Sequence, residues 1–278
     1  MPNNPWCLYA AKFFKKKGVL VEAIIQAALA AHDAAPPVIC VTPSIPILYF
    51  GDKTAYLKSP LRIVTVALNP SLAEFPPDAP FSRFPEAGAW IAAGRPPANC
   101  QELQQAFNDY FKRDPYLRWF GSLEKVLTGF DASFYPNPDP SNEGHAKNTA
   151  IHTDLLSPVA TSPTWSKIHD PGLKAALTKS GIPLWHTLIE ELRPHLILIS
   201  VAREHLASIV LKEQEAWKVF HCFPEKEIFP VMRSRAKWKD GEHVDLLWAR
   251  AGQVPFQMFS HREKMDIGRA LKGRLQSW

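Results

Sequence analysis

Cysteine is scarce and scattered in this 278-residue chain: Cys7, Cys40, Cys100 and Cys222 include no Cys-x-x-Cys pair. With no secretory signal ahead of them, neither a disulfide framework nor a zinc ribbon is expected, and a reducing cytoplasm is the default compartment. Long apolar runs are also missing. The longest candidate, Val19 to Ala31, is interrupted by Glu22 and Gln26 and falls short of the roughly 18 residues a membrane span needs. There is no internal repeat and no low-complexity tract. His145, His152, His169, His186 and His195 lack metal-ligand spacing and read as structural.

What is present is enough apolar material for a sizeable core, 46% of residues, and 26 prolines lying mostly between the periodic segments. That proline content implies long, shaped loops. A net charge of +5 and a pI near 9.0 favour a polyanionic partner. The basic clusters lie late: Arg233, Arg235, Lys237 and Lys239, then Arg262, Lys264, Arg269, Lys272 and Arg274.

Leu61 to Ser71, LRIVTVALNPS, is a β-branched apolar run that stops at an Asn-Pro-Ser turn. It reads as a buried parallel strand, and ligands of open α/β sheets bind beyond the carboxyl ends of such strands. A neutral amide there, Asn69, can hold a water by donating and accepting hydrogen bonds, with Pro70 fixing the backbone that aims it.

The rest of the chain reads as alternating elements. Trp6 to Lys17 begins a basic, aromatic helix that Val19 to Ala31 continues up to Pro36-Pro37, and residues 1–44 form a helical extension packed on the core. Strands are expected at Ile45 to Phe50, Leu61 to Leu68, Ala150 to Ala160 and His195 to Val201. Shorter ones follow at Glu227 to Val231, His243 to Ala249 and Val254 to Phe259, with Ala251-Gly252 as a hairpin turn. Helices are expected over Gln101 to Phe111, Arg118 to Leu127, Gly181 to Leu192 and Arg262 to Leu275. Strands separated by helices argue for a three-layer α/β/α fold.

LRIVTVALNPS resembles the first motif of the uracil-DNA glycosylase superfamily, in which a strand ends in Gly-x-Asn-Pro-Gly/Ser or a related Asp-Pro form. Two further stretches match in order. LLSPVAT aligns with the base-reading second strand, Ser157 standing where family members usually carry Asn. VPFQMFSH followed by REKMDIGRALKGRL aligns with the late strand, His and last helix, with Arg262-Glu263 replacing the usual Pro-Ser. The matches run from about Ile45 to Leu275. The resemblance implies a central four-stranded, mostly parallel sheet within a uracil-DNA glycosylase-like domain over residues 45–278. It also implies a monofunctional DNA glycosylase that leaves an abasic site, acting as a monomer on DNA. No membrane, metal, iron–sulfur cluster or other cofactor is expected; cluster-holding members show a close cysteine pair that this chain lacks.

The chemistry assigns roles. Cleaving an N-glycosidic bond builds an oxocarbenium-like sugar and negative charge on the base, so a donor at the base carbonyl and a positioned water are needed. His261 is the candidate for the first and Asn69 for the second. A flipped base needs an aromatic platform, for which Phe75, Phe81 and Phe84 are candidates, and a side chain that fills the gap; Arg262 and Lys264 are candidates for filling it or for gripping a phosphate. Arg83 is placed to hold a phosphate. Asp154 can accept from the exocyclic amine of cytosine, while Ser157 cannot read a pyrimidine edge bidentately. Uracil-specific members carry a Tyr after Asp-Pro that blocks a 5-substituent; the matching place here is Ser71. The expected base is a uracil-like or 5-substituted pyrimidine, the latter such as a mismatched thymine or a hypermodified cytosine of phage DNA, in repair or in defence against phage.

Each residue also has a structural reading. Asn69 before Pro is a common turn residue, His261 a surface histidine, Ser157 a strand terminator and Asp154 a turn cap or ion-pair partner; most of the phenylalanines are core, and 233–239 is a solvated loop. A non-catalytic nucleic-acid-binding module on the same fold is the main alternative function. A small-molecule or nucleoside hydrolase is a more distant one.

Overall fold

A computed structural model describes residues 17–95, 100–135 and 146–275. The stretch from Trp6 to Lys16, with Cys7, and His145 lie outside the described residues. The central strand, β1 (Ile63–Ala67), is buried at all five positions, because a parallel neighbour flanks it on each side. Those neighbours are β3 (Asn148–Asp154) and β4 (Leu196–Ile199). With β2 (Ala132–Ser133), β5 (Lys218–His221), β6 (Val231–Lys237) and β7 (His243–Trp248), the order among the described residues is β2-β3-β1-β4-β7-β6-β5. The first five run parallel; β6 runs antiparallel to β7, and β5 antiparallel to β6. The sheet is therefore mixed and seven-stranded, where four strands were expected.

Helices cover both faces. Successive strand residues point to opposite sides. On one side the His152 ring lies 5.1 Å from Phe120 of α5 (Leu117–Gly129). On the other, Thr153 Oγ1 accepts from Trp185 Nε1 of α6 (Pro171–Leu192) at 3.1 Å. Before them come α1 (Lys17–Asp33), whose Ile24, Ile25 and Ala28 join the core, α2 (Lys53–Lys58), α3 (Pro85–Ala92) and α4 (Cys100–Asn108). The chain closes with α7 (His261–Leu275). Helices α5 and α7 cross at Gly129 and Gly268, where a Cβ on either would strike backbone of the other helix. No described helix is long and apolar enough to cross a membrane, and no described group of His, Cys, Asp or Glu is arranged to hold a metal ion.

Several expected strands are something else. Ile45 to Phe50 is extended but keeps one bridge, Phe50 to His152; Pro46 lacks the N–H a longer ladder would use. The second core strand ends at Asp154, because the Ser157-Pro158 turn that follows, with Val159 N–H donating to Ser157 Oγ, breaks the ladder. Residues 228–230 are loop and lead into β6, which occupies the stretch read as a solvated basic loop. There Arg233 and Arg235 both pair with Asp245 on β7. Val254 to Phe259 is a chain of turns, with Pro255 unable to donate and Phe256 at φ +51°, so no hairpin forms at Ala251-Gly252.

Candidate active site

The sheet extends from β1 in two directions, to β3 on one side and β4 on the other, so the carboxyl end of β1 opens at the reversal point of the strand order. Asn69 sits there. Its amide nitrogen donates to Pro70 O at 2.7 Å, to Thr161 Oγ1 at 2.9 Å and to Val159 O at 3.3 Å. Two carbonyl acceptors fix which end of the amide is nitrogen. The segment after β3 is thus tied to the β1 turn, reinforced by Leu155 N–H to Ala67 O and Leu156 N–H to Leu68 O. Asn69 Oδ1 has no hydrogen-bond partner among the described residues. It is the acceptor left for a water or a substrate hydroxyl. Ser71 accepts from Ala73 N–H and starts a short 3-10 turn, Leu72–Glu74.

That turn delivers Glu74, a residue passed over in the sequence, into a polar cluster inside the aromatic core. Glu74 is 4% exposed, and its Oε2 accepts from the Tyr110 hydroxyl at 2.6 Å. The same hydroxyl oxygen accepts from Tyr116 N–H at 2.9 Å. Arg83 Nη1 stands 3.9 Å from Glu74 Oε2 and Nη2 3.9 Å from Asp114, beyond hydrogen-bond reach. Arg83 Nε and Nη1 are buried without a hydrogen-bond partner. Burial pushes the Glu74 carboxyl from its ordinary 4.5 up to about 7; Asp154 and Asp114 push the same way, while the Tyr110 hydrogen bond and Arg83 oppose.

Asp154 closes the other side. It ends β3 opposite Ala67, is 7% exposed, and its Oδ1 lies 3.7 Å from His152 Nε2. His152 Nδ1 is 2.7 Å from Thr65 Oγ1, and Phe50 and Phe120 pack on its ring. Thr65, His152, Asp154 and Glu74 thus run as a polar track toward the end of β1. A carboxyl that exchanges its proton near neutral pH and an unclaimed amide oxygen, five residues apart, leave the same strand end.

The remaining candidates divide. Phe75 and Phe84 are 1% and 0% exposed and stack on one another at 5.5 Å; as core rings they offer no face to a base. Phe81 packs edge-on against Phe75. Ser157 is buried, with its hydroxyl serving the turn at Val159. Arg83 belongs to the Glu74 cluster and is not an exposed phosphate grip. Lys264 is 4% exposed, donates to Ser122 Oγ at 2.7 Å, and burial holds its amine below the usual lysine range. It cannot fill a gap in DNA. His261 and Arg262 are exposed in the first turn of α7, well past the end of β7, so His261 does not end a strand.

Glu263 explains the departure at Arg262-Glu263. Ser260 Oγ accepts from Glu263 N–H at 3.3 Å and Glu263 Oε2 accepts from Ser260 N–H at 2.6 Å, a capping box that starts α7. Lys226 Nζ adds bonds to both carboxylate oxygens. Glu74, Tyr110 and His152 were missed because only the folded chain unites them; the one local sign is a carboxylate set among Leu72, Phe75 and two prolines. No protein-family model, no curated protein and no solved structure matches this chain.

Proposed function

We propose that the chain is a monofunctional DNA glycosylase that extrudes a 5-substituted pyrimidine and hydrolyses its N-glycosidic bond, leaving an abasic site. The observation that carries this reading is Asn69 at the reversal point of the sheet, its nitrogen pinned by three acceptors and its Oδ1 free to accept from the attacking water. The parallel run of β2, β3, β1, β4 and β7 within the sheet is compatible with a uracil-DNA glycosylase-like core. Asp154 offers a carboxylate to an exocyclic amine, which favours a cytosine-type base. Ser71, small and engaged with its own turn, leaves room at the 5-position. His261 and Arg262, exposed at the start of α7, suit contact with the DNA backbone better than contact with a base. Lys264 is committed to Ser122, so Schiff-base chemistry at that residue has no support. The biological setting that fits is repair, or defence against phage whose cytosines are hypermodified.

One observation favours a second reading, a nucleic-acid-binding module without turnover. Asn69 spends its amide nitrogen on holding a loop, which a purely structural Asn would also do. Alkali-labile sites in DNA decide between the two. Strand breaks that depend on alkali and vanish in Asn69→Ala support the glycosylase; DNA binding unchanged by Asn69→Ala, with no alkali-labile site, supports the module.

A further inference from the structure

The cluster around Glu74 is built with a direction. The Tyr110 hydroxyl donates to Glu74 Oε2 at 2.6 Å while its oxygen accepts from Tyr116 N–H at 2.9 Å. Oε2 is therefore an acceptor, and the acid hydrogen of an undissociated Glu74 belongs on Oε1, which has no hydrogen-bond partner among the described residues. The charged and titratable groups that face this carboxyl are Tyr110, Arg83, Asp154 and Asp114, with His152 behind Asp154. Arg83 stays at 3.9 Å, near enough to limit the cost of a carboxylate and too far to hold it ionised through a hydrogen bond. Glu74 is thus housed so that either form is tolerated.

Resting on the glycosylase reading, we propose that Glu74 is the proton donor to the departing base. A cytosine-type base leaves poorly as an anion, whereas a uracil-type base carries the charge on two carbonyls and an imide. As the N1–C1′ bond breaks and its electron pair enters the ring, the Oε1 proton passes to ring N3 and the base departs neutral. Water adds its hydroxyl to C1′, and its remaining proton restores the Glu74 acid through solvent. Nothing is oxidised or reduced, and no further reactant is needed. Asp154 accepts from the exocyclic amine of the same base edge, so a donor at N3 and an acceptor at the amine together match cytosine and mismatch uracil.

Single-turnover release of 5-hydroxymethylcytosine and 5-hydroxymethyluracil from otherwise identical duplexes tests this. Measured from about pH 5.5 to about pH 9, the wild-type rate on the cytosine base falls as pH rises through the neutral range, because the acid form is consumed. Glu74→Gln removes that limb, slows the cytosine base about a hundredfold and leaves the uracil base within about threefold. Equal losses on both bases, or a limb that survives in Glu74→Gln, overturn the role. Tyr110→Phe gives an independent reading: removing a hydrogen bond that favours the carboxylate moves the limb to higher pH, and an unmoved limb also overturns the role. A wild-type protein that releases only the uracil base defeats this role alone. Release of neither base overturns the role, and the glycosylase reading falls with it when duplexes carrying uracil, a G·T mismatch or glucosylated cytosine also stay intact.

Discussion

Tyr110 donates its hydroxyl hydrogen to Glu74 at 2.6 Å, across 36 residues of sequence, and so fixes a carboxyl that burial would otherwise expel. The consequence for stability has a definite sign. The unfolded chain ionises Glu74 near 4.5 and the folded one near 7, so between these values the folded state binds more protons. Its contribution is full below pH 4.5 and is lost as pH rises through about 7, a total of about 3 kcal/mol. Urea unfolding of the wild type and Glu74→Gln at acid and at mildly alkaline pH should show the variant gaining on the wild type by about this amount. Parallel pH dependences would contradict the buried acid.

Two glycines separate packing from propensity. A Cβ at Gly181 on α6 would run into the Leu156 carbonyl, in the strap that carries the Val159 acceptor of Asn69. Gly181→Ala should cost about 1–3 kcal/mol and disturb the Asn69 turn. A methyl group added at Gly121, inside α5, would meet nothing within 4 Å. Gly121→Ala should stabilise by about 0.5–1 kcal/mol, and thermal melts of the pair read both signs at once.

Arg262 and Lys264, two residues apart, should behave differently. Lys264→Ala removes the donor to Ser122 Oγ, which keeps its own bond to the Pro255 carbonyl, and opens a gap between α5 and α7, so it should lose about 1–3 kcal/mol of stability. Arg262→Ala should leave stability unchanged and, if it grips a phosphate, lower the slope of log affinity against log salt by about one. Salt titrations of DNA binding beside denaturation curves distinguish the two.

The capping box at α7 predicts a smaller loss. Ser260→Ala removes the acceptor for Glu263 N–H and should cost about 1 kcal/mol, measured by denaturant midpoint.

Much of the frame was legible because its signals are local. β1 announces itself as a β-branched run ending at Asn-Pro, and β4 and β7 as apolar runs; α7 begins within one residue of the expected place. The first half of α6 was hidden by Pro171, Gly172 and Pro183, although Asp170 caps it and Pro171 suits the first turn of a helix. VPFQMF alternates like a strand, yet Phe256 and Phe259 are buried from a turn and Ser122 donates to the Pro255 carbonyl. β6 looked like a basic loop because its partner Asp245 lies on another strand. Of the candidate site, the Asn69 turn and Asp154 were visible; Glu74, Tyr110 and His152 were not, since their contacts span 36 and 87 residues.

The most direct test of glycosylase activity is mass spectrometry of the products formed from duplexes carrying uracil, a G·T mismatch, 5-hydroxymethylcytosine or glucosylated cytosine. The expected products are one free 5-substituted base and an otherwise intact strand with an abasic site, both absent with Asn69→Ala. Unchanged strands from every duplex, with DNA still bound, would contradict a catalytic role for the Asn69 turn.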